Sequence, residues 1–512
     1  MFSEKTNKEY KKLFSKENII VFLLFIICFL SSFYKLDFKY INVDEAGTIL
    51  NATTLLKYGT DRVGVSWPLY PNNYYSGQSI LPTLLVFFSL MLFGNNLFAA
   101  RLPYAVLRVI CSVFVYKTFK EDRNLSTILL LLYTVFPAFV MSSRFILDCN
   151  LLMYVLIIAI FFLVRYFKTE KVSFLALSGI MFGLSFYCYA LTYVIIPFFI
   201  IVYFLYLLRY KQISIKRIII FITPVILLGI PLLIRLIVDL RLMEPFSVFG
   251  ITFNKILSYR SSEIGLSHFK LTNIYELIKC VFIDDNFNVV SYGIGGPCLY
   301  IPLALLAYYL FVFVKNKKYK DSVYVLFITL FVCCFIIGLF LDRAISWRMN
   351  TLIVATLFIS GLSLNNIEYK FRMICILSLL LLFSGFSFRY FTNYGKDYAS
   401  VLFDNGIYEL FKEAKNMKKD IYIKDSRIGE EYVYYFLFDE NIDLKDYPKD
   451  YYPYIIRDGK NNITISQVED IDINNIDKNA VYLTFNKNHA SEEQSISDSF
   501  IRNGSWTLWY FE

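Results

Sequence analysis

The chain has 512 residues, 57% hydrophobic and 19% aromatic, with only 18% charged and a formal net charge of +9. A soluble protein of this length is rarely so apolar, and long apolar runs recur through the first three quarters, so a polytopic α-helical membrane protein is the class that fits. The positive balance does not indicate nucleic acid, because the basic residues fall in short clusters between the apolar runs, where the positive-inside rule accounts for them.

Taken in chain order, Met1 to Asn18 carries Lys5, Lys8, Lys11, Lys12 and Lys16 ahead of the first apolar run. No small-residue cleavage site follows, so an uncleaved first span with a cytoplasmic N-terminus is expected. A span needs roughly 20 apolar residues. Such runs lie near 19–34, 98–116, 125–141, 150–166, 173–189, 191–208, 217–236, 297–314, 322–341, 349–364 and 373–388, about eleven transmembrane helices. Every second span should return the chain to the cytoplasm. The connections there, Lys117 to Arg123, Arg165 to Lys171, Arg209 to Arg217, Lys315 to Lys320 and Lys370 to Arg372, are all basic, as the rule demands. The run Ser79 to Phe93 is short and contains Pro82, and making it a span would spoil the alternation; it is predicted to lie along the membrane surface.

The outer connections are then loop 35–97, corner 142–149, loop 237–296, corner 342–348 and the tail 389–512. The tail is polar. Asn405 to Lys418 has an amphipathic pattern (Ile407, Leu410, Phe411, Ala414), and Asp420 to Lys424, Tyr454 to Ile456 and Val481 to Phe485 alternate like strands. The predicted organisation is a transmembrane module, 1–388, followed by a small extracytoplasmic α/β domain, 389–512. The nine cysteines show no metal or disulfide spacing. Two histidines, His268 and His489, exclude an all-histidine metal site, leaving only a hard cation on oxygen ligands.

Candidate site residues collect on the predicted outer side. Asp44 and Glu45 begin a short helical stretch after the first span. Acids stabilise a helix N-terminus, and neighbours on a helix point about 100° apart, so Asp44 is read as the one facing a cavity. Arg144 and Asp148 are four apart at the third corner and would share a helix face, as an ion pair or as a phosphate-binding cation beside a carboxylate for a metal or a sugar hydroxyl. Arg101 and Arg108 are seven apart on the second span. Arg101 is near the outer end and can snorkel. Arg108 is deeper, where a charge costs about 2.5–3.5 kcal/mol, and should face the bundle or a wet cavity. Asp284 and Asp285 end the second large loop, Arg348 opens the tenth span, and Tyr74 and Tyr75 belong to a tyrosine-rich surface suited to stacking on sugar rings. There is no Walker sequence, dinucleotide fingerprint or nucleophile elbow. Asn51-Ala52-Thr53, Asn462-Ile463-Thr464 and Asn503-Gly504-Ser505 match glycosylation acceptors.

An acidic pair soon after span one resembles the first outer loop of the GT-C glycosyltransferases. The bacterial family 39 type, related to protein O-mannosyltransferases and the lipid A aminoarabinose transferase, is the nearest likeness. Phe93-Gly94-Asn95-Asn96-Leu97-Phe98-Ala99-Ala100-Arg101-Leu102-Pro103 is similar to that family's entry into span two, and Pro137 through Ser143-Arg144 to Asp148 to its third corner. Trp347-Arg348-Met349-Asn350 resembles the basic start of a late span. The resemblance implies a GT-C-type architecture and a sugar passed, with inversion, from a polyprenyl-phosphate donor to an acceptor outside the cytoplasm: cell-envelope glycan, lipid or protein. It would make Asp44 the general base, set Glu45 and Asp148 to assist it or to hold a divalent metal such as Mg or Mn, and set Arg101, Arg144 and Arg348 on the departing phosphate. One segment departs from the pattern: Trp67 to Gln78 stands where relatives often carry Lys-Pro-Pro-Leu. Rival readings are a lipid-linked oligosaccharide flippase or transporter, which would show repeat symmetry and broken mid-membrane spans, and a polysaccharide polymerase or ligase. The implied location is the plasma membrane.

Overall fold

The structure, a computed structural model, describes residues 16–38, 41, 43–73, 76–255, 263–285, 289–397, 405–424, 454–458, 461–466, 476–485, 499–503 and 506–511. It divides into two compact units. The first comprises residues up to 36, 101–243 and 258–391; the second comprises 37–100, 244–257 and 392–512.

Each of the eleven predicted spans coincides with helix. In chain order, the helices of both units are α1 (Lys16–Phe33), α2 (Val43–Tyr58), α3 (Ile80–Phe93), α4 (Leu97–Thr118), α5 (Arg123–Val135), α6 (Pro137–Ser142), α7 (Asp148–Thr169), α8 (Val172–Ser185), α9 (Thr192–Arg209), α10 (Ile215–Asp239), α11 (Thr272–Ile278), α12 (Ile301–Lys315), α13 (Ser322–Leu339), α14 (Asn350–Asn366), α15 (Tyr369–Asp397) and α16 (Asn405–Asn416). Seven apolar stretches among the described residues are long enough to cross a membrane; α1, α5, α8 and α12, which also match predicted spans, are shorter. The third predicted span is broken. Phe136 is extended (φ −70°, ψ 122°) and Pro137, which has no N–H to give, opens α6. Elsewhere polar side chains set the helix starts: the Asp122 carboxylate accepts the Leu125 amide at 3.0 Å, and that of Asp321 accepts the Val323 amide at 2.9 Å.

Packing in the first unit depends on small residues where backbones approach. A Cβ on Gly179 of α8 would fall 2.2 Å from the Phe221 carbonyl oxygen of α10, and one on Gly183 would fall 2.8 Å from the Leu228 side chain. This is the small-xxx-small seam common between membrane helices. Within the bundle, α14 is the most enclosed span, 89% buried, whereas α10 and α15 are 17% and 11% buried and face outward.

The second unit is mixed. α2 packs on α3. Between them, the buried Asp61 carboxylate accepts the Val63, Val65 and Asn72 amides at 3.1, 2.9 and 3.1 Å. This fixes a turn that leads to the short ladder β1 (Asn72–Asn73) with β2 (Ser76–Gly77). A second hairpin pairs β3 (Phe246–Val248) with β4 (Ile251–Phe253). The tail forms a six-stranded sheet of β5 (Asp420–Lys424), β6 (Tyr454–Asp458), β7 (Asn461–Ser466), β8 (Ala480–Phe485), β9 (Ser499–Asn503) and β10 (Trp506–Tyr510). Its order is β6-β7-β5-β8-β10-β9, with β5 parallel to β7 and β8 and the other pairs antiparallel. Ile421, Ile423, Ile463, Val481, Leu483 and Leu508 are buried in it, and α16 covers β8, β9 and β10 with Ile407, Leu410, Phe411 and Ala414, all buried as their spacing requires.

Candidate active site

In the second unit, Asp44 and Glu45 occupy the first turn of α2. The two differ as helix geometry requires: Asp44 is exposed and Glu45 is fully buried. The turn is tied by the Thr48 hydroxyl donating to the Asp44 carbonyl at 2.9 Å. Two turns on, Asn51 is completely buried, donates to the Asn72 carbonyl at 3.0 Å and accepts the Arg62 amide at 3.0 Å. It is therefore a structural residue and no glycan acceptor. Asn462 is likewise engaged in β7, its amide donating to the Asp420 carboxylate at 2.7 Å. Tyr74 and Tyr75 lie outside the described residues.

In the first unit, three buried arginines converge on the end of α1. Arg101 donates to the Leu36 carbonyl at 3.1 Å, its guanidinium 5.7 Å from the Phe145 ring centre. It is fully buried, which corrects the expectation that it snorkels: helix ends elsewhere meet water, but this one is wrapped by the α1 exit. Arg108 is partnered through both terminal nitrogens, while its buried Nε has no hydrogen-bond partner among the described residues. Its Nη1 donates to the Ser31 and Ser32 hydroxyls at 2.7 and 3.0 Å and to the Cys28 carbonyl at 3.2 Å, and its Nη2 to the Thr134 carbonyl at 3.3 Å. Arg144 donates to the Tyr34 and Lys35 carbonyls at 2.7 and 3.1 Å, reaches those of Ser31 and Ser32 at 3.4 Å, and donates through Nε to the Tyr390 hydroxyl at 3.1 Å. The last carbonyls of a helix lack intrahelical acceptor roles and carry the negative end of its dipole, so cations are the natural cap.

The expected shared helix face of Arg144 and Asp148 is not formed. Arg144 sits in the turn after α6, held by the α1 carbonyls, and Asp148 begins a new helix, α7. There its half-buried carboxylate accepts the Cys149 amide at 2.7 Å. Tyr104 packs alongside and donates to the Leu147 carbonyl at 3.0 Å. Tyr189 lies in the turn between α8 and α9, within reach of the charges of Asp148, Arg348 and Glu263. Arg348 is forked between two carboxylates, 3.3 Å from Glu263 and hydrogen-bonded to Asp342. Partial burial works to raise the Asp342 carboxyl, but the hydrogen bond and charge of Arg348 outweigh it and hold the group below its ordinary range.

Asp285 is buried for a structural reason. It accepts the amides of Val289, Val290 and Ser291 at 2.8, 2.7 and 3.1 Å and the Ser346 hydroxyl at 2.6 Å, which makes it the staple of its loop rather than a substrate contact. Asp284 beside it is exposed. Among the described residues, no group of three or more His, Cys, Asp or Glu side chains gathers closely enough to hold a metal ion. Sequence reasoning passed over Ser31, Ser32, Tyr189, Glu263, Asp342 and Tyr390. The serine pair was the readable signal, since two adjacent hydroxyls inside an apolar run invite a buried donor.

Residues 78–236 match the family model described as dolichyl-phosphate-mannose-protein mannosyltransferase. No curated protein sequence matches the chain. Among solved structures, ArnT from Cupriavidus metallidurans in the apo state superposes with a TM-score of 0.62 at 9% identity, over 96% of each chain. The same protein bound to undecaprenyl phosphate gives 0.60 at 10% identity, over 96% of this chain and 97% of that one. The oligosaccharyltransferase AglB from Archaeoglobus fulgidus gives 0.47 at 12% identity, over 88% of this chain and 62% of that one. Fold and family model define the class: a polytopic membrane protein of GT-C architecture with a small C-terminal sheet domain. The likeness to the protein mannosyltransferase family model is confined to residues 78–236, while the likeness in fold to ArnT extends over nearly the whole chain.

Proposed function

We propose that the chain is an integral membrane glycosyltransferase that takes a sugar from a polyprenyl-phosphate carrier and places it, with inversion, on an acceptor at the extracytoplasmic face. The observation that carries this reading is fold correspondence over nearly the whole of both chains with ArnT, a protein whose solved structure holds undecaprenyl phosphate. The matched family model over residues 78–236 adds to it. In the reaction, Asp44 takes the proton of the acceptor hydroxyl. The hydroxyl oxygen attacks the anomeric carbon, the bond from that carbon to the phosphate oxygen breaks, and the lipid phosphate leaves with the electron pair. A positioned base of this kind contributes roughly 10²–10⁴ in rate.

Arg348 is the best-placed arginine to receive the phosphate. Its present partners, Asp342 and Glu263, are partly exposed carboxylates that phosphate oxygens can replace, and a guanidinium presents a fork that suits them. Arg101 and Arg144 are held by main-chain carbonyls, so their role in this reading is to order the chain after α1 rather than to bind the phosphate directly. Asp148 orients the acceptor or the sugar. A divalent cation would be held by Asp148 or Glu45 together with donor phosphate oxygens, the usual way Mg²⁺ is bound; its part is to neutralise phosphate charge.

The test is a membrane assay with a panel of labelled polyprenyl-phosphate sugars. Covalent transfer that is lost in Asp44→Asn supports the proposal. Movement of the lipid across the membrane without a covalent product identifies a flippase instead. Turnover unchanged by EDTA removes the metal.

A further inference from the structure

The β3–β4 hairpin presents an apolar tip that neither the fold nor the proposed reaction uses. Phe249 at its apex is 100% exposed, and Val248 and Ile251 beside it are 43% and 44% exposed. The hairpin is firmly framed at its base. The Leu69 amide donates to the Thr252 carbonyl at 2.8 Å, the Thr252 amide to the Trp67 carbonyl at 2.9 Å, and the Asn254 side chain to the Tyr70 carbonyl at 3.2 Å. The Phe246 and Phe253 rings stack at 4.8 Å. The turn itself is costly. Phe249 and Gly250 both have positive φ, +51° and +81°, the two-residue arrangement that favours Asn-Gly. A bulky aromatic in the left-handed region is an outlier. A residue that suits neither water nor its own backbone calls for an apolar contact outside the protein.

The contact on offer is lipid. The hairpin follows α10, with only residues 240–245 between them. α10 has mean hydropathy 2.5 and only 17% of its span is buried, so most of its surface faces the bilayer. Leu240 and Leu242, 60% and 74% exposed, continue that surface beyond the helix. Exposed Arg241 and Lys255 bracket the stretch, and Glu244 is its single acid between 240 and 255. Apolar residues flanked by long cations are the composition of an interfacial anchor, with the cations at the phosphates of anionic lipids.

We infer that the β3–β4 hairpin is a lipid-contacting element whose tip, Phe249 with Val248 and Ile251, enters the head-group layer of the bilayer. The inference is independent of the catalytic reading.

It is tested on the full chain in vesicles of phosphatidylethanolamine and phosphatidylglycerol. Eight of the nine cysteines are buried and Cys375 is half-buried; with Cys375→Ser as background, a spin label on Phe249→Cys reports alone. Oxygen, which partitions into lipid, and a water-soluble nickel complex are used as relaxing agents. Two references are labels at Leu227→Cys, on the exposed face of α10, and at Lys478→Cys, in the exposed turn before β8. Accessibility at 249 like that at 227 supports the inference. Accessibility like that at 478 overturns it, and so does a label shielded from both agents, which would mean a protein partner or a second copy. Should the label disturb the turn, Phe249→Trp with brominated lipids decides the same question. Fluorescence quenched beyond that of the unsubstituted protein supports lipid contact, and an unchanged signal refutes it.

Discussion

Arg108 carries its charge deep inside an apolar bundle, where two serine hydroxyls and two carbonyls accept from its terminal nitrogens. Arg108→Met should therefore lower the thermal midpoint in detergent, through a stability loss on the order of 2 kcal/mol for the charged hydrogen bonds removed. Arg108→Lys should recover part of that; an unchanged midpoint in the Met variant would mean that the arginine does not hold α1. Asp44→Asn is expected to abolish sugar transfer, by about 10²-fold or more, while expression and membrane insertion stay normal. Asp148→Asn should lower turnover sharply, and normal turnover would leave it a purely structural helix start. The Asp342–Arg348 contact sets a pH response. A carboxyl held below its ordinary range contributes stability that is present above the unfolded value and lost as pH falls through the folded one. Loss from this contact is thus confined to acid pH, and Asp342→Asn should flatten the acid limb of a stability-versus-pH curve while leaving the neutral range alone. The residues were readable as types and places, but not as partners. Charge at depth announced that Arg108 must be satisfied. Which atoms satisfy it depends on α1 and α5 meeting α4, and no local pattern encodes that.

Among elements, α8 and α10 give the sharpest expectation. Gly179→Val would drive a side chain into the Phe221 carbonyl, 2.2 Å from where a Cβ would stand. The helices must separate, and a large fall in yield of monodisperse protein on size exclusion should follow; normal behaviour would mean that the seam is not closed in solution. The helices themselves were legible because apolar run length and basic connections are both strong signals. In the tail, the amphipathic spacing of Ile407, Leu410, Phe411 and Ala414 announced α16, and alternation announced β5, β6 and β8. β9 and β10 were missed because adjacent apolar residues, Phe500-Ile501 and Leu508-Trp509-Tyr510, break the two-residue alternation there, and β7 was missed although Ile463-Thr464-Ile465-Ser466 alternates. The break at Phe136 was missed because Pro137 reads the same inside a kinked helix as at the start of a new one.

For the whole molecule, the prediction concerns sidedness. If the eleven spans alternate as their basic connections require, a tag at position 44 reacts with membrane-impermeant reagents only from outside the cytoplasm. Reaction only from the cytoplasmic side would end the proposed mechanism, because the base would then lie away from the acceptor. A candidate outer side is predicted from sequence because charge sorts the loops. How the candidate residues assemble is not, since they come from both large loops, the second span and two corners.

The enclosure of α14 also bears on how the protein is made. Its stretch, Ser346–Asn366, is the least hydropathic of the seven long candidates, at 1.3, so it has the weakest claim to enter lipid unaided. The helices it packs against, α5, α7, α12 and α13, all leave the ribosome before it does. A vacant socket is therefore ready when this segment emerges, and its insertion amounts to docking onto finished protein, which makes the order of synthesis part of the folding code.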